Sequence, residues 1–205
     1  DYDNFGYSVS ISGNYAIAGA PHDNVGANDD QGSVSIYQYD GNNWVLMQKL
    51  TDANGDAGDN FGNSVSISGT YFITGAFLDD VGTNAFQGSA SIYEYKNNSW
   101  QLIQKLTEPT GLANDNFGNS VSISGNYAIV GTYPGTIPTV NRGYSNIYLR
   151  VGNAWGKLQQ VTDPMGINSD AFGHAVEIDS NTKRFLIGAI NYASGSGKAA
   201  FGKVN

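Results

Sequence analysis

The chain has 205 residues and a net charge of −8, with only 14 % charged side chains, a balance that argues against nucleic acid and anionic membranes as partners. Hydrophobic residues make up 40 %, but no apolar run nears the ~20 residues of a membrane helix, so no membrane insertion is expected. Twenty-seven glycines and no cysteine favour strands and tight turns, exclude a disulfide framework or a thiol nucleophile, and fit an exported protein.

The first strand is predicted over Tyr7–Ser12, where Val9 and Ile11 alternate with Ser8, Ser10 and Ser12. Ser12-Gly13-Asn14 is a turn signal, and a small apolar strand follows over Tyr15–Ala20. Residues 21–32 read as a loop of Gly, Asn and Asp. Ser33–Tyr39 alternates again and reads as a third strand. Asp40-Gly41-Asn42-Asn43 turns the chain into a fourth strand, Trp44–Leu50.

This unit then recurs. Phe5-Gly6, Phe61-Gly62, Phe117-Gly118 and Phe172-Gly173 are spaced by 56, 56 and 55 residues. Trp44, Trp100 and Trp155 keep the same step, as do Gly19-Ala20, Gly75-Ala76, Gly131-Thr132 and Gly188-Ala189. The repeats fall at approximately 3–58, 59–114, 115–169 and 170–205, the last ending after a third strand predicted over Ala199–Val204. One such sheet cannot bury both faces alone, so copies must stack. The expected fold is all-β: a β-propeller, or part of one, built of four-stranded antiparallel blades, with three full repeats and a truncated fourth. An unrolled solenoid is the alternative. Either the four blades close with one incomplete, or further blades or a homo-oligomer complete the ring. The Ser-rich first strand suits a crowded central channel, the Gly and Ala of the second let sheets approach, and the Trp-bearing fourth suits the outer rim.

The words FG-x-SV-x-I-SG, Y-x-I-x-GA and W-x-x-x-QKLT resemble the FG-GAP repeats of the integrin α-chain propeller, and look closest to their bacterial branch. The resemblance covers the whole chain. It implies a β-propeller, an extracellular or cell-surface setting, and a role in adhesion or ligand binding without catalysis. Integrin repeats carry a D-x-D-x-D-G calcium loop between FG and GAP. Here that interval holds only Ser12-Gly13-Asn14, Ser68-Gly69-Thr70 and Ser124-Gly125-Asn126, and the fourth copy has Lys183 among its polar residues. That calcium site does not carry over.

Strand parity places the second-to-third loops (21–32, 77–88, 133–143 and 190–197) on one side, together with the linkers near 51–59, 107–115 and 162–170. Long varied loops on a rigid scaffold commonly carry function. The candidate ligand-binding residues on this face are His22, Asp23, Asn24, Asn28, Asp29, Asp30, Asp79, Asp80, Asn84, Phe86, Tyr133 and Tyr192. Asp23, Asp29, Asp30, Asp79 and Asp80 offer hard oxygen ligands to a cation such as Ca2+. The competing reading is that these Asp and Asn residues bond their own backbone in Asx turns. The phase-locked acids Asp3, Asp59, Asp115 and Asp170, and Asp52, Glu108 and Asp163, read as caps of the linking turns. Exposed aromatics beside Asn and Asp suit a sugar or a protein hot spot equally.

Little points to catalysis. His22 and His174 fall at non-equivalent repeat positions, and no serine sits in G-x-S-x-G. Gly195-Ser196-Gly197-Lys198 lacks the spacing of a phosphate loop. The expected function is a non-catalytic extracellular binding or adhesion module for a protein or glycan ligand. The alternatives are a glycan-binding lectin with repeated pockets and a carbohydrate-active enzyme on a propeller fold.

Overall fold

The computed structural model describes residues 2–133, 142–166, 170–190 and 196–204. Those residues form fifteen strands and no helix. Blade 1 holds β1 (Ser8–Ser12), β2 (Tyr15–Ala20), β3 (Ser33–Tyr39) and β4 (Trp44–Leu50). Blade 2 holds β5 (Ser64–Ser68), β6 (Tyr71–Ala76), β7 (Ser89–Lys96) and β8 (Ser99–Leu106). Blade 3 holds β9 (Ser120–Ser124), β10 (Tyr127–Gly131), β11 (Ser145–Val151) and β12 (Ala154–Val161). Blade 4 has three described strands, β13 (Phe172–Asp179), β14 (Arg184–Ala189) and β15 (Lys198–Lys203). Each blade is an antiparallel meander in chain order. A bulge recurs at Ile36/Tyr37, Ile92/Tyr93 and Ile147/Tyr148, adding twist at the same level of every full blade.

The core lies between the sheets. The face that each blade turns to its successor is called its back, and the opposite face its front. Ile17, Val34 and Ile36 from the back of blade 1 pack on Phe61, Val65, Ile67, Phe72 and Trp100 from the front of blade 2. Ile73, Ala90 and Ile92 meet Phe117, Val121, Ile123 and Trp155 in the same way. Ile129 and Ile147 meet Phe172, Ile178 and Phe185. Each fully buried Ile or Phe contributes about 1.5–3 kcal/mol, so the blades stabilise one another rather than themselves. The rings reach across as well: Tyr15 of blade 1 sits edge-on to Trp100 of blade 2 at 5.5 Å, and Tyr71 to Trp155 at 6.1 Å.

The serine alternation has a different cause from a crowded channel. Ser8 Oγ donates to the Gly62 carbonyl at 2.8 Å, Ser10 Oγ accepts from Ile67 N–H at 3.1 Å, and Ser12 Oγ accepts from Gly69 N–H at 3.0 Å. Ser64, Ser66 and Ser68 bond blade 3 at Gly118, Ile123 and Gly125. Ser120, Ser122 and Ser124 bond blade 4 at Gly173, Ile178 and Ser180. The inner strands of neighbouring blades belong to separate sheets and are stitched by hydroxyls. Val and Ile face the preceding blade; Ser faces the next. At the outer rim Gln48 brackets the backbone N–H and C=O of Trp100, and Gln104 those of Trp155.

The Phe-Gly pair locks into the preceding blade. Phe61 N–H donates to the Gln31 carbonyl at 2.8 Å, and Gly32 bridges Phe61 in parallel. A β-carbon on Gly32 would lie 2.1 Å from the Phe61 oxygen, and one on Gly19 would lie 2.0 Å from the Gly62 oxygen. The Gly-Ala and Gln-Gly motifs of one blade are therefore the cradle for the Phe-Gly of the next.

Candidate functional site

Among the described residues, the loops 21–32 and 77–88 lie against the linkers that follow their blades and are bonded to them. Val25 and Asn28 close a tight turn through reciprocal backbone bonds of 3.0 and 3.1 Å, and Val81 and Asn84 do the same at 3.1 Å each. Asn28 Nδ2 donates to Gln31 Oε1 and to the Gly55 carbonyl of the following linker. Asn84 repeats this with Gln87 and Gly111. Gln31 Nε2 donates to the Asp52 carbonyl at 2.6 Å, and Gln87 to that of Glu108 at 2.7 Å. Side-chain amides appear here because two loop backbones run past each other without a strand ladder, and buried carbonyls must still find donors.

The candidate residues separate by what they touch. Asn24 Oδ1 accepts from Asp30 N–H, and Asp80 Oδ1 accepts from Phe86 N–H, as caps of equivalent turns. Asp23 is buried and its carboxylate faces Lys49 Nζ at 2.5 Å; Asp79 faces Lys105 Nζ at 2.6 Å. Burial raises the Asp23 pKa, but the Lys49 bond and charge outweigh it and hold the group below its ordinary value. His22 Nδ1 stands 3.2 Å from Asp30 at the surface. Asp29 is exposed, and its carbonyl accepts from Gly58 N–H. Phe86 is exposed too, at a backbone φ of 55° that a large side chain seldom adopts. Tyr133 lies against the His174 ring at 5.2 Å. Tyr192 lies outside the described residues. Among those residues, no three His, Asp or Glu side chains converge as a group able to hold a metal ion.

Five of the phase-locked acids cap turns: Asp52 Oδ1 accepts from Asn54 N–H, Asp59 Oδ2 from Asp56 N–H, Asp115 Oδ2 from Leu112 N–H, Glu108 Oε1 from Thr110 N–H and Asp163 Oδ1 from Met165 N–H. They also clamp the blades. Lys105 of blade 2 reaches back to Asp52 at 2.9 Å, Lys157 of blade 3 to Glu108 at 2.8 Å, and Lys198 of blade 4 to Asp163 at 2.6 Å. The three lysines occupy different repeat positions yet deliver an ammonium to the same acid.

Asp59 lies against the Asp79 and Lys105 pair. Burial, assisted by the Asp79 charge, pushes its pKa up to about 6 against the lowering effect of the Asp56 N–H. Because the folded value exceeds the unfolded one, the protonated acid stabilises the fold below about pH 4, and that stability fades as pH rises through 6. Asp59→Asn mimics the neutral form and keeps an acceptor for Asp56 N–H. It is expected to stabilise the chain at pH 7 by up to about 2–3 kcal/mol, the gain shrinking toward pH 4. Urea midpoints at pH 7 and pH 4 check it; an equal effect at both values removes the buried-charge explanation.

The loop face changes character between repeats. Asp30 is replaced by Phe86, and Asp56 by Leu112. Phe86 and Leu112 are 45 % and 65 % exposed on the two segments that Asn84 ties together, and Met165 is exposed on the next linker. Leu112 and Met165 carry no polar-ligand signature; the signal for them is apolar residues standing where the repeat otherwise has polar ones.

A family profile described as FG-GAP repeat matches residues 1–37, 44–93 and 100–146, well over half of the chain. No curated protein matches. Among solved structures, Sqt1 of Saccharomyces cerevisiae aligns with a TM-score of 0.56 at 10 % identity, over 91 % of this chain and 43 % of that one. A europium-containing methanol dehydrogenase aligns at 0.53 and 8 % identity, over 86 % and 33 % of the two chains. Sqt1 of Chaetomium thermophilum aligns at 0.51 and 17 % identity, over 87 % and 39 %. At such identities the likeness is one of fold, and the chain spans less than half the length of each of these structures.

Proposed function

The chain belongs to the FG-GAP repeat family, and from that membership we propose that it is a non-catalytic binding module of an exported or cell-surface protein, recognising a protein or glycan ligand through its loop face. The observation that carries this reading is the contrast between scaffold and surface. The serine ladder, the glycine cradle and the Asn–Gln loop ties recur bond for bond, whereas the exposed tips change from Asp30 and Asp56 to Phe86 and Leu112. Exposed apolar residues held on a rigid rim suit a recognition surface. Divergence between copies favours one composite site over the identical pockets of a repeated lectin.

Phe86→Asn paired with Leu112→Ser is the test. Asn tolerates the positive φ that Phe86 holds, so the melting temperature is expected to stay at or above that of the wild type. Binding to a glycan array and to a panel of purified extracellular proteins is measured for both chains. At least one ligand class is expected to bind the wild type, with affinity falling about tenfold or more in the variant, as for a central hot spot. Binding untouched by the substitutions would place recognition elsewhere, and turnover of a polysaccharide panel would make the module an enzyme.

A further inference from the structure

The three internal interfaces use the fronts of blades 2, 3 and 4 and the backs of blades 1, 2 and 3. Among the four described blades, one front and one back are not used. On the front of blade 1, Phe5, Val9, Ile11 and Trp44 are 59, 70, 65 and 43 % exposed, against 1, 9, 5 and 2 % for Phe61, Val65, Ile67 and Trp100 of blade 2. These side chains, with Ala16 and Tyr37, line one open apolar groove. A soluble chain seldom leaves such a patch uncovered.

The groove also carries the polar half of the blade lock. The Gly6 carbonyl and the N–H groups of Ile11 and Gly13 correspond to those of Gly62, Ile67 and Gly69, which bond the preceding blade. Lys49 corresponds to Lys105, which holds the acid of the preceding linker in addition to its own loop acid.

The free back belongs to blade 4. Leu186 and Phe201 stand opposite each other in register, as Ile17 and Ile36 do in blade 1, and are 38 and 81 % exposed. The cradle is open: a β-carbon on Gly188 or Gly197 would meet nothing nearer than 3.6 Å among the described residues. The stitching differs, because Ala175, Glu177 and Asp179 replace the three serines. Contact on this face rests on Leu186, Phe201 and the cradle, with Glu177 placed as an acceptor where Ser10, Ser66 and Ser122 accept.

We propose that the front of blade 1 docks on the back of blade 4 of a second copy of this chain. The contact is head-to-tail and reuses the internal interface with a weakened ladder, so assembly depends on concentration. Two copies bring eight sheets together, within the range of about 4–8 blades over which propellers close.

Sedimentation equilibrium of the chain from about 1 to 200 μM tests this, because mass action drives assembly. The wild type is expected to reach a mass of two or more chains. Ile11→Asp and Phe201→Asp each alter an exposed residue, so far-UV circular dichroism should be unchanged while each variant alone remains a monomer. Mixed in equal amounts, the two variants retain one intact front and one intact back and are expected to form a complex of two chains. A wild type that stays monomeric throughout overturns the proposal. So does a Phe201→Asp chain that assembles unaided, since the fronts would then meet each other or a different surface.

Discussion

Gly75→Ala is expected to destabilise the chain by about 3 kcal/mol or more, lowering the melting temperature by roughly 6–12 °C. The added β-carbon would fall 1.9 Å from the Gly118 oxygen, 2.8 Å from its carbonyl carbon and 2.6 Å from Ser64 Oγ. Ser64 can rotate away, but the carbonyl belongs to the backbone of the next blade. It is fixed there by the Phe117 N–H bond to Gln87 and by the Gly118 N–H bond to Gly131. Relief requires the sheets to part, which strips the Ser64 hydroxyl from Gly118 and opens the Phe117 pocket. Two controls separate this from an intrinsic glycine effect. Gly26→Ala sits in open space at a φ of 65° and should cost about 1 kcal/mol from backbone strain alone. Gly188→Ala is the same motif position in blade 4, where the nearest atom is 3.6 Å away, and should leave the dilute chain within about 0.5 kcal/mol of wild type. Thermal melts of the three variants check the ordering. A Gly75→Ala melt within a degree of wild type would mean that the blades are not pressed together at this point.

The strands of this fold were readable because their causes are local. Alternation over Ser33–Tyr39, and the Asp40–Asn43 turn that opens Trp44–Leu50, set those strands to the residue. The first strand begins one residue later than alternation suggests, at Ser8, because Tyr7 N–H closes a turn back to Asn4. Alternation also says that two faces differ, but not what each one meets. Ser8, Ser10 and Ser12 look like a wet or crowded face, whereas they bond a neighbouring inner strand more than fifty residues away. The loop acids were ambiguous for the same reason. Whether Asp23 is a ligand or half of an ion pair depends on Lys49, which reaches it from another strand. Lys105 could be found from its phase with Lys49, but Lys157 and Lys198 are out of phase, and only the fold shows that they serve the same acids. Phe86 stands out in the sequence as an aromatic in a polar loop, but Leu112 is visible only once Asp56 is known to occupy the same place on the rim.

Phe117→Ala should cost about 3–5 kcal/mol, while Phe5→Ala, at the same motif position, should cost the dilute chain about 0.5 kcal/mol or less. Phe117 has no exposed surface and sits in the cluster formed by the back of blade 2 and the front of blade 3. Its removal leaves a cavity bounded by two sheets that the serine ladder and the Gln104 bracket on Trp155 hold in register, so the walls cannot close on the void. Phe5 lies in the same Asp-Asn-Phe-Gly-x-Ser-Val-Ser-Ile-Ser run as Phe117, but its ring is 59 % exposed. Since sequence and local backbone are matched, the difference between the two variants measures what a covering blade contributes. Urea unfolding of both at about 1 μM gives that difference, and equal losses would contradict it. Repeating Phe5→Ala at high protein concentration extends the comparison. If a second copy covers blade 1, the wild type gains stability with concentration, and Phe5→Ala forfeits that gain, approaching the loss seen for Phe117→Ala. The motif position would then have one energetic role throughout the molecule, realised within the chain at Phe61, Phe117 and Phe172 and between chains at Phe5.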